Sequence, residues 1–130
     1  MNYWKAQTLM ATARWPHKGK PIGNNTRLYD NDGYYTIRLH NHVIMEIHRD
    51  GFMPMDAGWQ TVTTKARLNE HMPIGHIHQR DFTWYFTVGD AEYLWSDVHF
   101  VSTHTKHGDY PVMSQSEYRA WKEHMMEVEA

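Results

Sequence analysis

The sequence contains no cysteine, which excludes a disulfide framework and any zinc site built from thiolates. It contains no apolar run long enough to cross a membrane, so we expect no membrane partner. The opening residues, Met-Asn-Tyr-Trp-Lys, lack the apolar segment of a signal peptide, and we therefore expect a cytoplasmic protein.

The common catalytic motifs are missing as well. There is no Gly-x-Ser-x-Gly nucleophile motif, no phosphate-binding P-loop and no Gly-x-Gly-x-x-Gly dinucleotide motif. No pair of acidic residues stands at a recognisable spacing beside the histidines, as a metal-dependent nuclease would require. We therefore predict that the protein is not an enzyme and carries no cofactor.

Acidic residues are absent from the first 29 positions, which carry five cations. These cations are Lys5, Arg14, Lys18, Lys20 and Arg27. Residues 108–130 have the opposite balance, with five acids against two cations. The basic leader, residues 1–25, also bears Tyr3, Trp4 and Trp15, and one hypothesis is a flexible arm that follows a phosphate backbone while its rings stack on bases. The alternative is that the oppositely charged ends attract each other or a second copy of the chain in a homo-oligomer.

The chain has 130 residues, of which 41% are hydrophobic and 14% aromatic, so we expect one core and a single domain over 1–130. Its clearest pattern is the stretch 34–48, where apolar and polar residues alternate with the period of a half-buried strand. The apolar set is Ile37, Leu39, Val43, Met45 and Ile47. Asn41 falls on the apolar side, so we expect one long strand with a bulge or bend at 40–42.

Shorter patterns predict the elements on either side of this strand. The expected elements are a helix over 2–13, a strand over 26–29, a helix within 61–71 and a hairpin of strands over 74–79 and 83–88. In the middle helix, Thr63 or Thr64 is placed to cap the first turn, and Ala66, Leu68 and Met72 are expected to face inward.

The end of the chain predicts two short strands within 93–101 and then a helix. Ser114-x-x-Glu117 is a capping box, so an amphipathic C-terminal helix is expected over 114–129. Hairpins joined by a short helix indicate an α+β domain, with a small, strongly curled antiparallel sheet as a β-rich core over 26–101. Closure of this sheet into a barrel-like form is an alternative, because closure leaves no strand edge exposed.

Four segments carry a resemblance. They are Asn24-Asn-Thr-Arg-Leu28, Tyr35-x-Ile-Arg-Leu-His-Asn41, Gly58-Trp-Gln-Thr-Val-Thr-Thr-Lys-x-Arg-Leu-Asn69 and Gln79-Arg-x-x-x-Trp-Tyr85. Together they resemble a family of small proteins encoded by tailed bacteriophages, over roughly residues 15–88, and the third segment is the most specific. The resemblance implies a phage accessory protein in the host bacterial cytoplasm, and it implies no catalytic residue.

One histidine pattern matches part of a metal site. His40-x-His42-x-x-x-Glu46 has the spacing of the first cupin motif, and Pro73-x-Gly75-x-x-His78 resembles part of the second. On adjacent strands, His40, His42, Glu46 and His78 would bind one ion. The match is incomplete, because flanking residues of both motifs are misplaced or missing and the phage family often has Thr where this chain has His42. Solvated surface histidines are the alternative.

The segment 58–69 combines groups that favour an anion. Its first helical amides would lie beside hydroxyls and two cations within about one turn. The residues concerned are Thr61, Thr63, Thr64, Lys65 and Arg67. The alternative is a capped surface helix with ordinary solvated cations.

Three further residues extend this segment into a candidate binding surface. Trp59 offers a face for ring stacking, and Arg27 and Arg38 would widen the basic patch from adjoining strands. We therefore predict a small phage binding protein that engages nucleic acid, a nucleotide or another anionic ligand through a basic, aromatic-flanked patch.

A rival hypothesis is an inhibitor of a host enzyme or defence system. Such a protein would contact its bacterial protein partner through exposed aromatic residues or through the acidic C-terminal helix, because an acidic surface imitates nucleic acid. Binding to DNA that weakens steeply with salt would favour the nucleic-acid hypothesis, whereas capture of a host protein would favour the inhibitor.

Overall fold

The computed structural model describes residues 1–103 and 112–129. Within these ranges the helices are α1 (Tyr3–Ala11), α2 (Val62–His71) and α3 (Gln115–Glu129), with 3₁₀ turns at Pro16–Lys18 and Trp95–Asp97. The strands are β1 (Lys20–Gly23), β2 (Thr26–Asp30), β3 (Tyr35–Leu39), β4 (His42–His48), β5 (Gly51–Pro54), β6 (His76–Arg80), β7 (Thr83–Val88), β8 (Ala91–Leu94), β9 (Phe100–Ser102) and β10 (Val112–Met113). No described helix has both the length and the apolar composition needed to span a membrane.

The strands form two antiparallel sheets. The larger sheet has the order β1-β2-β3-β4-β5-β9-β10, and the smaller one has the order β6-β7-β8. Within each sheet, adjacent strands are consecutive in the chain except where β9 joins β5, with Phe52 opposite Val101. The α+β class is therefore confirmed. Within the described ranges the larger sheet ends at β1 and β10, so it is open and is not a barrel.

The stretch 34–48 is a hairpin, and the prediction of a single strand is wrong. β3 and β4 pair with each other, and His40 and Asn41 form the turn between them with φ of 50° and 69°. Asn and His enter this left-handed region more readily than most residues, and two such residues make the tight turn of a hairpin. The bend expected at 40–42 is present, but it reverses the chain. A register shift opposite Ile37 then buries both Ile44 and Met45.

The middle helix begins slightly earlier than predicted. Thr61, and not Thr63 or Thr64, is the N-cap of α2, because the Thr61 side chain accepts a hydrogen bond from the Thr64 amide. Leu68 and Met72 are buried as expected. Ala66 is exposed, and the buried face of the helix carries Thr64, Leu68 and His71 instead.

Asn69 fastens α2 to the smaller sheet. Its side-chain amide donates a hydrogen bond to the Ile77 carbonyl at 2.9 Å and accepts one from the Ile77 amide at 2.7 Å. One hydrophobic cluster then joins α1, α2 and both sheets. Its most deeply buried members include Leu28, Ile37, Met45, Phe52, Leu68, Ile77 and Phe86.

The leader contains regular structure. Asn2 caps α1 by accepting a hydrogen bond from the Lys5 amide. The helix buries Tyr3, Ala6 and Met10, and it lies within the range 2–13 where a helix was predicted. β1 pairs with β2 directly afterwards. The hypothesis that residues 1–25 act as a flexible arm stays a prediction.

The C-terminal helix has the predicted capping box. The Ser114 hydroxyl accepts a hydrogen bond from the Glu117 amide at 3.3 Å, and the Glu117 carboxylate accepts one from the Ser114 amide at 3.2 Å. Tyr118 and Trp121 stack on Phe100 of β9, with ring centres 4.7 and 5.8 Å apart. These rings attach α3 to the edge of the larger sheet that is farthest from β1.

Candidate functional site

A cavity of about 390 Å³ opens between the β3–β4 turn, the segment 55–60 and the start of α2. We call it the Trp59 cavity, and its lining residues are Leu39, His40, His42, Ile44, Asp56, Ala57, Trp59, Thr61, Thr63 and Thr64. Leu39 and Ile44 are buried residues of the hairpin, whereas Trp59 is 60% exposed. The cavity therefore combines an apolar lining with an indole that is open to solvent.

Asp56 organises the segment that carries Trp59. Its Oδ1 accepts a hydrogen bond from the Gly58 amide at 2.8 Å, and its Oδ2 accepts bonds from the Gln60 side chain and the Trp95 indole, both at 3.1 Å. Burial alone would raise the pKa of Asp56, but these hydrogen bonds outweigh burial and hold the pKa below its ordinary value. These three hydrogen bonds occupy the Asp56 carboxylate and hold in place the segment that carries Trp59.

The first turn of α2 supplies another wall of the Trp59 cavity. Thr61 caps the helix through the bond at 3.1 Å from the Thr64 amide. The first amides of a helix have no acceptor inside it, so this end carries partial positive charge. His40 from the β3–β4 turn and His42 from the start of β4 complete the polar lining.

A second cavity, of about 260 Å³, lies beside the first. We call it the Arg38 cavity, and its lining residues are Asn25, Arg27, Tyr29, Arg38, His40 and Asn41. Arg27 and Arg38 are directly opposite each other in the β2–β3 pairing. The Arg38 guanidinium lies 4.2 Å from the centre of the Tyr29 ring, and its buried Nε has no hydrogen-bond partner among the described residues. Of the residues that the structure describes, two cations and no carboxylate therefore line this cavity.

His40 lines both cavities, so the two adjoin at the β3–β4 turn, although Leu39 and Arg38, as successive residues of β3, point to opposite faces of the sheet. Among the residues that the structure describes, Asp56 is the only carboxylate in either lining, and its oxygens already accept three hydrogen bonds. The two adjoining cavities consequently offer an exposed aromatic ring on one side of the turn and two guanidinium groups on the other. This combination suits a ligand that contains both a ring and an anionic group.

The structure divides the predicted patch. Trp59, Thr63 and Thr64 line the Trp59 cavity, and the predicted strand residues Arg27 and Arg38 line the Arg38 cavity.

The two helix cations lie elsewhere. Lys65 and Arg67 line neither cavity, and Arg67 pairs with Glu70 at 3.3 Å. Residues two apart on a helix point in nearly opposite directions, so Lys65 and Arg67 do not form one patch. A contact between either residue and a ligand stays a prediction.

Sequence reasoning missed two parts of the site. Tyr29, which stacks on Arg38, carries no signal in a single sequence. The role of Asp56 could have been recognised in the sequence, because Asp-x-Gly is typical of a turn in which the Asp side chain accepts a hydrogen bond from an amide two residues later. His40 was identified, but as a metal ligand and not as a residue that lines two cavities.

The four candidate metal ligands are not brought together. His40 and His42 line the Trp59 cavity, whereas Glu46 bonds to His48 at 3.1 Å. His78 lies in the smaller sheet, stacked on Tyr85. Residues 1–103 and 112–129 contain no group of three or more His, Asp or Glu residues placed to hold a metal ion. The cupin-like arrangement requires four ligands around one ion, and the β3–β4 turn places His40 outside the strand that carries Glu46.

Comparison with known proteins gives one match. The family model described as the Kyanoviridae Gp96 protein matches residues 5–108. No curated protein and no solved structure matches the chain. The resemblance to phage proteins is thereby confirmed, and the match covers most of the described fold, including both cavities. The chain belongs to the Kyanoviridae Gp96 protein family.

Proposed function

We propose that this protein is a phage accessory binding protein that holds an anionic ligand of nucleic-acid chemistry, a nucleotide or nucleic acid, in the host bacterial cytoplasm. The observation that carries the proposal is that the Trp59 and Arg38 cavities adjoin at His40. The two cavities present a stacking ring and two cations on either side of the β3–β4 turn, and these are the groups that a base and a phosphate require.

The base would occupy the Trp59 cavity. Trp59 exposes much of its indole, and Leu39, Ile44 and Ala57 provide apolar contacts beside it. Stacking of a base on an aromatic side chain contributes about 1–3 kcal/mol and tolerates any base. The threonine hydroxyls at the start of α2 add hydrogen-bonding groups at the base edge or the sugar.

The phosphate would occupy the Arg38 cavity. Like charges directly opposite each other on neighbouring strands destabilise a sheet, so the Arg27–Arg38 pair is unfavourable unless an anion compensates it. Stacking on Tyr29 orients the Arg38 guanidinium, which leaves its planar edge for two parallel bonds to phosphate oxygens. Arg27 is positioned as well, because it donates to the Lys18 and Gly19 carbonyls at 3.3 Å.

Calorimetric titration with adenosine 5′-monophosphate and with inorganic phosphate tests this proposal. We expect the nucleotide to bind more tightly than phosphate, and Trp59→Ala to weaken nucleotide binding by about 5-fold to 150-fold, the equivalent of one lost stacking contact. Arg38→Ala is expected to weaken both ligands.

Matched controls come from exposed residues outside the cavities. Arg119→Ala removes a cation from α3, and Phe82→Ala removes an exposed ring from the β6–β7 turn. Both variants should bind as the parent does. Equal nucleotide affinity of Trp59→Ala, Arg38→Ala and the controls would contradict the proposed site.

A second candidate function, inhibition of a host protein, is favoured by Phe82. This side chain is 93% exposed and sits at the β6–β7 turn with φ of 64°, a conformation that a bulky residue rarely adopts. Leu94 is also exposed and lines the same depression as Phe82. An apolar pocket on a host protein would bury both residues. Capture of a host protein by the parent chain and by Trp59→Ala, but not by Phe82→Ser, would support this alternative.

A further inference from the structure

The smaller sheet ends in a strand whose outer edge has no described neighbour. β8 pairs with β7 on one side, and no described strand lies on its other side. Ala91, Glu92 and Leu94 of this strand are exposed. An edge strand presents a row of amide and carbonyl groups to which another chain can add a strand, so proteins usually protect such an edge.

The other sheet edges in the described ranges are protected. β1 contains Pro21, and its pairing with β2 is irregular between Pro21 and Gly23. β10 has only two residues. At β6, the Asn69 side chain takes the place of a neighbouring strand, because it bonds to both the amide and the carbonyl of Ile77. Proline, irregular pairing, very short strands and covering groups all prevent unwanted pairing, and among the described residues β8 has none of them.

The register shows which groups of β8 point outward. Ile77 directs its amide and carbonyl away from β7, so Phe86, opposite Ile77, directs its own toward β8. Phe86 lies opposite Tyr93, so these two residues form a hydrogen-bonded pair. Hydrogen-bonded and non-hydrogen-bonded pairs alternate along antiparallel strands, so Glu92 and Leu94 direct their amides and carbonyls away from β7. These four groups form the outer edge of β8.

Glu92 is the only charged residue of β8, and its charge is compensated. The Glu92 carboxylate lies 2.8 Å from the Arg80 guanidinium and 3.7 Å from the His78 imidazole. A charged side chain protects an edge strand partly by repelling the charge of an approaching copy. Because Arg80 already pairs with Glu92, this repulsion is reduced at β8.

We propose that β8 pairs antiparallel with β8 of a second copy across a two-fold axis, so that the two smaller sheets join into one six-stranded sheet. An axis perpendicular to the sheet keeps each face on its own side, so the residue on the axis lies opposite itself. Glu92 on the axis would place two like charges together. With Tyr93 on the axis, Glu92 of each copy lies opposite Leu94 of the other, and their outward groups form four hydrogen bonds.

Two exposed apolar side chains support a second copy as the occupant. Phe82 and Leu94 line one depression together with Ser96, just beyond the end of β8. In an antiparallel pair the end of one strand lies beside the start of the other, so the second copy would bring its 89–90 turn to this depression. Every contact is made twice across the axis. The pairing uses no residue of the Trp59 or Arg38 cavities, so it is independent of the proposed function.

Sedimentation equilibrium of the full chain from about 1 to 500 μM tests the pairing. The mass should rise with concentration from 15.5 kDa toward twice that value. We expect a dissociation constant of about 1–100 μM, because a pair of four-residue strands buries less surface than a standard interface.

Leu94→Pro is the diagnostic substitution. Proline removes one outward amide in each copy, so dimerisation should weaken at least about 10-fold. Leu94 has φ of −63°, which is the value that proline adopts, and its amide does not bond to β7, so the variant should fold as the parent does. Leu94→Ala keeps the amide, and this matched control should weaken dimerisation much less.

A single introduced thiol tests the register. The chain contains no cysteine, so a disulfide in a variant with one cysteine must join two copies. Tyr93 and its copy would form a non-hydrogen-bonded pair, in which the Cα atoms are about 4.5 Å apart, a distance that a disulfide spans. Tyr93→Cys should therefore give a covalent dimer under mild oxidation, whereas Ala91→Cys, on the same face of β8, should give little.

The outcomes are distinct. A chain that stays monomeric over the whole concentration range overturns the inference. A dimer that Leu94→Pro leaves unchanged also overturns it, as does equal cross-linking of Tyr93→Cys and Ala91→Cys. If the chain is monomeric but captures a host protein, and Leu94→Pro abolishes this capture, the edge pairs with a foreign strand and the second copy is refuted.

Discussion

Removal of the Asp56 carboxylate should destabilise the protein and disturb the Trp59 cavity together. In Asp56→Ala, the Gly58 amide, the Gln60 side chain and the Trp95 indole lose their acceptor. Trp95 is the most sensitive of the three, because it is buried and packs edge-on against Trp84. Its indole N–H would remain buried without an acceptor.

The expected loss follows from these three bonds. Leaving a buried donor without a partner costs about 1–3 kcal/mol, whereas the bonds from Gly58 and Gln60 are exposed and contribute less. We therefore expect Asp56→Ala to lower the free energy of unfolding by about 2–4 kcal/mol. Urea denaturation followed by tryptophan fluorescence measures this quantity.

A double-mutant cycle isolates the contact between Asp56 and Trp95. Trp95→Phe keeps the packing of a ring but removes the donor, so the two substitutions together should cost less than the sum of their separate effects, by about 1–2 kcal/mol. Glu123→Ala, an exposed acid on α3, is the control for loss of a negative charge. A loss below about 0.5 kcal/mol for Asp56→Ala, or a coupling near zero, would refute the assignment of Asp56 as the residue that organises this segment.

Three further predictions concern stability. Gly51→Ala should lower the free energy of unfolding by about 1–3 kcal/mol, measured by urea denaturation, because a β-carbon there would meet the Val101 carbonyl across the β5–β9 pairing. Gly23→Ala should change it little, because the nearest atom to a β-carbon there belongs to Thr26, at 3.7 Å. Burial lowers the pKa of His71, so the unfolded chain binds the proton more readily and stability should fall as pH drops below about 6.5. Urea midpoints at several pH values would show this fall, and His71→Gln should flatten it. Asn69→Ala should cost about 1–3 kcal/mol, because it removes both hydrogen bonds that fasten α2 to β6, and a change within experimental error would contradict that role.

The sequence predicted local elements well where the pattern was strong. The hairpin of β6 and β7 follows from the alternation that buries Trp84 and Phe86, and the capping box at Ser114 marks the start of α3. The alternation failed at 34–48, because His40 and Asn41 turn the chain without the glycine that usually marks such a turn. The two-residue turn alone would shift the alternation by one residue, because Leu39 and His42 pair and share a face. The register shift between Ile37 and Arg38 restores the alternation, so that Ile37 lies opposite Met45 and the pattern does not reveal the reversal.

The site was only partly predictable for a related reason. Arg27 and Arg38 were expected on adjoining strands, and the β2–β3 register places them opposite each other. Lys65 and Arg67 were expected beside these residues, but they line neither cavity, because residues two apart on a helix point in nearly opposite directions. The place of His40 between the two cavities depends on the β3–β4 turn, so it could not be inferred while that stretch was taken for one strand.

The pairing of β5 with β9 has a consequence for synthesis. The strands β1 to β5 can pair with their neighbours as each one leaves the ribosome, since every contact is between consecutive strands. β9 reaches its place beside Phe52 only after α2 and the whole smaller sheet have been made. Joining strands so distant in the chain closes a long loop, which slows folding. The edge of β5 therefore stays open on the growing chain until translation has passed residue 102.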